Sequence, residues 1–499
     1  MATDGVFTTA FRHHEGGRLK EAERLYWQIL ASHPNHSDSL HLLGVIAQQM
    51  GRGNLAIKLI TDAIAHNGSI GTYYSNLGVA LSAKGRLDEA VACYRRALEL
   101  TPDFPNVHYN LGNDLQKQGL LDEAAACYRR ALDLQPHFSD AHNSLGVALQ
   151  QQGLLDEAVT CYRRALDLTP NLADAHKNLA IALLAQGDMA KGWEEYEWRW
   201  KTSQMIDGQR GFSQPQWRGE PAQGRTLLIH AEQGFGDSLQ FCRYASLAAD
   251  LGFRVILEAP KLLIRLLRSL RGVDILLSSG EELPPFDLHC PMLSMPLALG
   301  TTITTIPRAA QYLYAAEPQV ASWRTRLAAI ATNGCRVGLA WAGSSILGAD
   351  RNRRRSLAPD RMVSLFEVPG VQFFSLQKSG PTVPDCFPVR DFMTEMDDFA
   401  DTAALIANLD LVISVDTAMA HLGAALGKPV WLLNRFDPCW RWLTVRRDSP
   451  WYPTLRLYRQ PQPGDWDSVL AEVASDLRNL TRPDDKARGS GGHKSDFGR

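Results

Sequence analysis

Three short stretches of this chain gather side chains able to handle an anion or a proton. In LDLVISVDTAMAHLGAALGKPVWLL, residues 409–433, Asp416-Thr417 end an apolar run and His421 follows Thr417 by one helical turn. A helix starting there would point backbone N–H groups, with about half a positive charge, at a phosphate. The plainer alternative is that Asp416 or Thr417 only caps the helix. In AGSSILGADRNRRRS, residues 342–356, Arg351, Arg353, Arg354 and Arg355 stand close together in a chain whose net charge is -2. Guanidinium forks bind phosphate oxygens in pairs, so the cluster suits a diphosphate, although a solvated basic loop would read the same. Lys378, past another strand, can add to that field.

The third stretch is Glu232-Gln233-Gly234-Phe235-Gly236-Asp237. Gly234 and Gly236 let backbone approach a ligand closely, and Asp237 falls at the start of a helix facing a cleft, either as a reactive group or as its cap. The glycines are too few for a dinucleotide fingerprint, and no phosphate-loop pattern occurs. The pair Asp465 and Asp467 flanking Trp466 follows Gly464 at a helix start and reads as capping, so no metal site is expected.

Each stretch needs a strand to deliver it and a helix to receive it. Residues 411–415 form an apolar, β-branched-rich run, 418–426 favour helix and close on Gly427, and 430–433 form a second run: one βαβ unit. Ligands of such sheets sit beyond the carboxyl ends of the strands. The same reading gives strands at 227–231, 254–259, 273–277 and 287–290, then at 337–341, 371–376, 411–415 and 429–433. Helices fall at 238–251, 261–270, 319–330, 359–366, 398–408, 418–426 and 466–480. Two successive α/β halves would enclose a cleft between their strand ends.

A different period governs the first two hundred residues. Leu43-Gly44, Leu77-Gly78, Leu111-Gly112 and Leu145-Gly146 recur every 34 positions, with Leu179-Ala180 continuing the series. Ala22, Ala56, Ala90, Ala124 and Ala158 keep the same spacing, as do Tyr94, Tyr128 and Tyr162. Such units resemble the tetratricopeptide repeat: two helices crossing at small residues, stacked into a superhelix whose concave face takes peptides or protein partners. Asn76, Asn110, Asn143 and Asn178 lie near inner-helix positions, where they bond a peptide backbone or are simply solvated. The series degenerates into GWEEYEWRW, residues 192–200, whose three tryptophans predict a capping or docking surface against the next domain, with ligand stacking as the alternative.

Composition sets outer bounds. The chain has 499 residues, 45% hydrophobic and 21% charged, so it is globular and long enough for roughly three domains. Its net charge of -2 gives no reason to expect a nucleic-acid or anionic-membrane partner. No apolar run reaches the roughly 20 residues of a membrane span, no secretory leader is visible, and eight scattered cysteines include no CxxC pair. The cytoplasm is the expected compartment.

Taken together, GFGD, AWAGS with its arginine loop, and DTAMAHLGAALGKPVWLL resemble glycosyltransferases of the heptosyltransferase (family 9) type over about residues 225–480. The order of repeats before two lobes is also similar to that of protein O-GlcNAc transferases. The resemblance implies a solenoid followed by two Rossmann-like lobes (the GT-B fold): solenoid 1–205, linker 206–224, first lobe on the acceptor side 225–317, connecting helix 318–334, second lobe on the donor side 335–483, and a disordered tail 484–499. It implies Asp237 as general base, with Gly234 and Gly236 shaping the cleft loop, and a donor site of Arg353, Arg354, Arg355, Lys378, Asp416, Thr417 and His421. Ala418 stands where the family usually has glycine, and arginines replace its loop lysine. The activity implied is inverting, metal-independent transfer from a nucleotide-sugar to a hydroxyl on a protein or glycan recruited by the solenoid, with no cofactor. A non-catalytic scaffold that senses a nucleotide is the rival expectation.

Overall fold

The computed structural model describes residues 2–330, 334–343, 354–384 and 386–481. Arg351 and Arg353 of the arginine loop and the expected tail therefore lie outside the described residues. The chain forms two compact units, Met1–Asn178 and Leu179–Arg499.

The first unit is a run of antiparallel helix pairs, from Ala2–Glu15 and Leu19–Ser32 to Ser139–Gln151 and Leu155–Leu168. The 34-residue register has a steric cause. A Cβ on Gly78, Gly112 or Gly146 would come within 2.7 Å of the ring of Tyr94, Tyr128 or Tyr162 respectively, so the two helices of each repeat touch only because the glycine is bare. The turns repeat too: Gly51, Gly85, Gly119 and Gly153 all have positive φ. Three of the asparagines prove to bond from repeat to repeat, Asn76 Nδ2 with His41 Nε2 at 2.8 Å and Asn178 Nδ2 with Asn143 Oδ1 at 3.0 Å.

The second unit carries two parallel sheets. Strands β1 (Thr226–His230), β2 (Arg254–Ala259), β3 (Ile275–Ser278) and β4 (Leu288–Pro291) lie in the order β3-β2-β1-β4. Strands β5 (Cys335–Ala340), β6 (Val371–Ser375), β7 (Val389–Asp391), β8 (Leu411–Val415), β9 (Val430–Asn434) and β10 (Leu455–Arg459) lie in the order β10-β9-β8-β5-β6-β7. β7 and β10 are absent from the sequence reading: both are short edge strands, one only three residues long, the other with Arg456 and Arg459 breaking its apolar pattern. All-parallel sheets bury both faces, and β8 is buried at every residue. In each sheet the strand order reverses once, between β1 and β4 and between β5 and β8, and these reversals open the crevices where ligands sit in doubly wound folds.

The tryptophan-rich segment packs within this unit. Trp193 is buried, donates from Nε1 to Thr301 O at 3.2 Å, and meets Trp440 edge-on with ring centroids 5.1 Å apart. Arg199, 1% exposed, forms a two-toothed pair with Glu232 at 2.9 and 3.0 Å. Glu232 and Glu197 outweigh the burial that disfavours charge, and hold the Arg199 guanidinium above its ordinary pKa. Arg243, also buried, donates to Pro307 O, Trp451 O and Tyr312 Oη, which ties the first-lobe helices to the second lobe.

Candidate functional site

The site is assembled where the helix that follows β1 packs on the helix that follows β8. β1 runs into a loop ending at Gly234, and the next helix begins at Phe235, three residues earlier than its pattern suggests. Asp237 is therefore not the N-cap. It sits at the third helical position and its Oδ2 reaches back to accept from Gly234 N–H at 3.0 Å, half of a capping box. Its other oxygen accepts from Arg441 Nη2.

Arg441 arrives from the second lobe, 204 residues further on, in the short turn Trp440–Trp442. Its guanidinium lies over Trp440 (4.3 Å to the ring centroid) and donates from Nε to Gln240 Oε1 at 2.6 Å. Asp237 and Gln240 are three residues apart on one helix face, so a single fork grips both. Burial opposes the charge on Arg441, but Cys439 and Asp237 beside it more than compensate, and its pKa is raised. Leu443, closing this turn, has φ 49°, a left-handed conformation that costs a branched side chain of order 1–3 kcal/mol and is concentrated at functional sites.

Gly236 faces the other stretch. A Cβ there would stand 3.0 Å from His421 Cδ2 and 3.7 Å from Ala418 Cα, so the bare glycine admits the helix Ala418–Ala425 against the helix Phe235–Phe241. His421 is buried at 4% exposure; its Nδ1 lies 2.9 Å from Tyr452 Oη, and its ring stacks on Trp442. Burial, helped by Arg441 and Arg243, pushes its pKa well below the ordinary histidine value, so it is a neutral strut between the lobes. Thr417 caps its helix, accepting from Met419 N–H at 3.3 Å.

β5 and β8 are neighbours, with Ala340 opposite Ser414, so the two chains leave the sheet from adjacent positions. Arg355 Nη1 donates to Asp416 O at 3.2 Å, and its guanidinium lies over Gly343, where there is no room for a Cβ. Arg354 pairs with Asp437 at 2.6 Å, and Asp437 also pairs with Arg435. Lys378 points elsewhere: its ammonium donates to the carbonyls of Met393 (2.7 Å) and Met396 (2.5 Å). Asp465 accepts from Ser468 N–H and Oγ–H at the start of the helix Trp466–Thr481. The structure thus brings Asp237, Gly236 and His421 together, and separately Arg355 with Asp416 and Thr417. Arg441, Gln240 and Asp437 are additions that sequence reasoning missed; the one local signal was an arginine between two tryptophans, Trp440-Arg441-Trp442.

Comparison with known proteins finds matches in both units. Residues 78–119 match a TPR repeat model, and residues 109–173 and 149–197 match a tetratricopeptide repeat model. Residues 394–433 match the model of glycosyltransferase family 9 (heptosyltransferase), a span that holds Asp416, Thr417 and His421. Protein FlbA of Caulobacter vibrioides is 26% identical over 323 residues, covering 58% of this chain and 53% of FlbA, so the chain spans about half the length of that relative. Tetratricopeptide repeat protein 7B of Homo sapiens is 37% identical over 65 residues, 13% of this chain and 8% of its own. Among solved structures, MamA (26% identity, TM-score 0.31) covers 34% of this chain and 93% of its own. YrrB, described as a TPR protein with an unusual peptide-binding site (20%, TM-score 0.32), covers 35% and 91%. No described helix is long and apolar enough to cross a membrane.

Proposed function

We propose that this chain, in which tetratricopeptide repeats precede a glycosyltransferase family 9 segment, moves a sugar from a nucleotide-sugar to an acceptor hydroxyl on a protein or glycan recruited by the solenoid. The observation that carries this reading is the meeting of Asp237 with Arg441 beside the helix that Thr417 caps. On this reading Asp237 is the proton acceptor of one lobe, and the helix start at Thr417 in the other receives the anion.

Asp237 takes the proton of the attacking hydroxyl. Each carboxylate oxygen has room for a second hydrogen bond, so the acceptor binds Asp237 while Gly234 N–H keeps the side chain oriented. Arg441 shares or releases Oδ1 at that moment. On the donor side, the start of the helix that Thr417 caps offers about half a charge against the two or three of a leaving diphosphate. Arg354 and Arg355 supply the rest by exchanging Asp437 and the Asp416 carbonyl for phosphate oxygens. Attack from the side opposite the diphosphate inverts the anomeric centre. The reading routes no step through a metal ion and gives Lys378 no contact with the donor.

Calorimetric titration with a set of nucleoside diphosphates tests the donor half. We expect at least one to bind, and Arg354→Ala or Arg355→Ala to weaken it about tenfold, the worth of one charge-assisted hydrogen bond. If none binds, or the variants bind as tightly as wild type, the scaffold reading replaces this one.

A further inference from the structure

A cavity of about 540 Å³ opens in the α/β unit, and none of its lining residues belongs to the site described above. Its floor is the β1/β4 reversal, with His230 at the end of β1 and His289 and Pro291 from β4. Its walls come from 194–218, the stretch read from sequence as a docking surface and a linker.

These walls are held in place. Glu197 accepts from Arg199 (2.6 Å), Ser294 Oγ (2.7 Å) and Gln216 Nε2 (3.2 Å). Phe212 packs on His289 and on His230, with centroids 4.9 and 5.6 Å apart. Trp198 and Trp200 add two indoles, steadied by Lys201 and Arg199 at 3.6 and 4.8 Å from their centroids. His230 is 3% exposed and its Nδ1 has no hydrogen-bond partner among the described residues. Burial, then His289 and Arg210, pull its pKa down to about 3, so it faces the cavity as a neutral ring.

The chemistry of the lining narrows the ligand. Its lining carries Lys201, Arg210 and Arg218 against Glu194 and Glu197, and Glu258 outside the lining pairs with Arg210, so no strong net charge selects an anion. An extended peptide has no strand edge to join here, because Gln216 already pairs in parallel with His289 and Trp217 N–H donates to His289 O. What remains is aromatic surface beside planar polar side chains: Gln209 and Gln216, whose amides both donate and accept, Arg218, which donates, and Glu194, which accepts. Ring hydroxyls need paired donors and acceptors, and the C–H face of a sugar packs on an indole. The volume lies within the usual range for small ligands, roughly 300–1,000 Å³.

We propose that this cavity is a saccharide-binding site, with sugar C–H faces on Trp198 and Trp200 and hydroxyls on Glu194, Gln216 and Arg218. The proposal stands independently of the transferase reading, because it concerns binding alone and uses none of the residues assigned to transfer.

The test is saturation-transfer NMR on the full chain with a panel of free hexoses, N-acetylhexosamines and their disaccharides, in the presence and absence of a nucleoside diphosphate. The expected result is saturable, weak binding of at least one sugar that the nucleotide does not displace. Trp198→Ala should weaken it about fivefold to tenfold, the range of an aromatic contact. Glu194→Gln, an exposed change that leaves the fold intact, should alter affinity severalfold while the circular dichroism stays as in wild type. No binding by any sugar, displacement by the nucleotide, or unchanged affinity in both variants overturns the proposal. So does a serine/threonine-rich peptide that perturbs the Trp198 and Trp200 signals where the sugars do not.

Discussion

The solenoid and the α/β unit use arginine in opposite ways. In the repeats, pairs such as Arg86–Glu89 and Arg95–Glu123 lie on the surface, with every side chain about half exposed. Surface pairs of this kind are screened and contribute little. In the α/β unit Arg199, Arg243 and Arg441 are buried, and each joins segments far apart in the chain. The solenoid is therefore held by many equivalent local contacts, the α/β unit by a few non-local ones whose loss cannot be shared out.

The sharpest way to break this comparison is Arg199→Met. It leaves Glu232 buried without its partner, and we expect a loss of about 3–5 kcal/mol, seen by hydrogen exchange as early opening of the α/β unit with the solenoid unchanged. Adding Glu232→Leu should recover part of the loss, since a buried pair can be replaced by apolar packing. Next comes Gly112→Ala. Its new methyl meets the Tyr128 ring, and overpacking of this kind costs about 1–3 kcal/mol. Exchange should quicken in that repeat and its neighbours and nowhere in the α/β unit. The smallest effect belongs to Arg95→Ala, which should leave the melting temperature within error; a measurable drop would show that the surface pairs matter more than their exposure suggests.

The same contrast decides what is legible in the sequence. Gly112 and Tyr128 announce their contact because the pair recurs at one register, and β8 announces itself as an unbroken apolar run. Asp237, Gly236 and Thr417 are visible as residues at turns, but not what each touches. Gly236 reads as room for a ligand, whereas the room is taken by His421. His421 reads as a donor contact and is found buried against Trp442 and Tyr452. Lys378 reads as part of a cationic field and is found on two backbone carbonyls. Arg441 is marked locally only by the tryptophans on either side of it, and its meaning depends on a carboxylate 204 residues away. Strand and helix periods are properties of neighbours in sequence; charge pairing across a cleft is not.

The central claim is that Asp237, gripped by Arg441 across the lobes, is the base of a sugar transfer. The most direct measurement is release of nucleoside diphosphate from a panel of nucleotide-sugars by wild type and Asp237→Asn, with donor affinity titrated for both. Asparagine keeps the size and the hydrogen bond to Gly234 but loses the charge paired with Arg441 and cannot take the proton, so Asp237→Asn is compared with Arg441→Met, which removes the pair and leaves the base. The account predicts turnover lower by about a hundredfold or more in Asp237→Asn, with donor affinity near wild type. Equal turnover in wild type and Asp237→Asn, or no release from any donor by wild type, would contradict it.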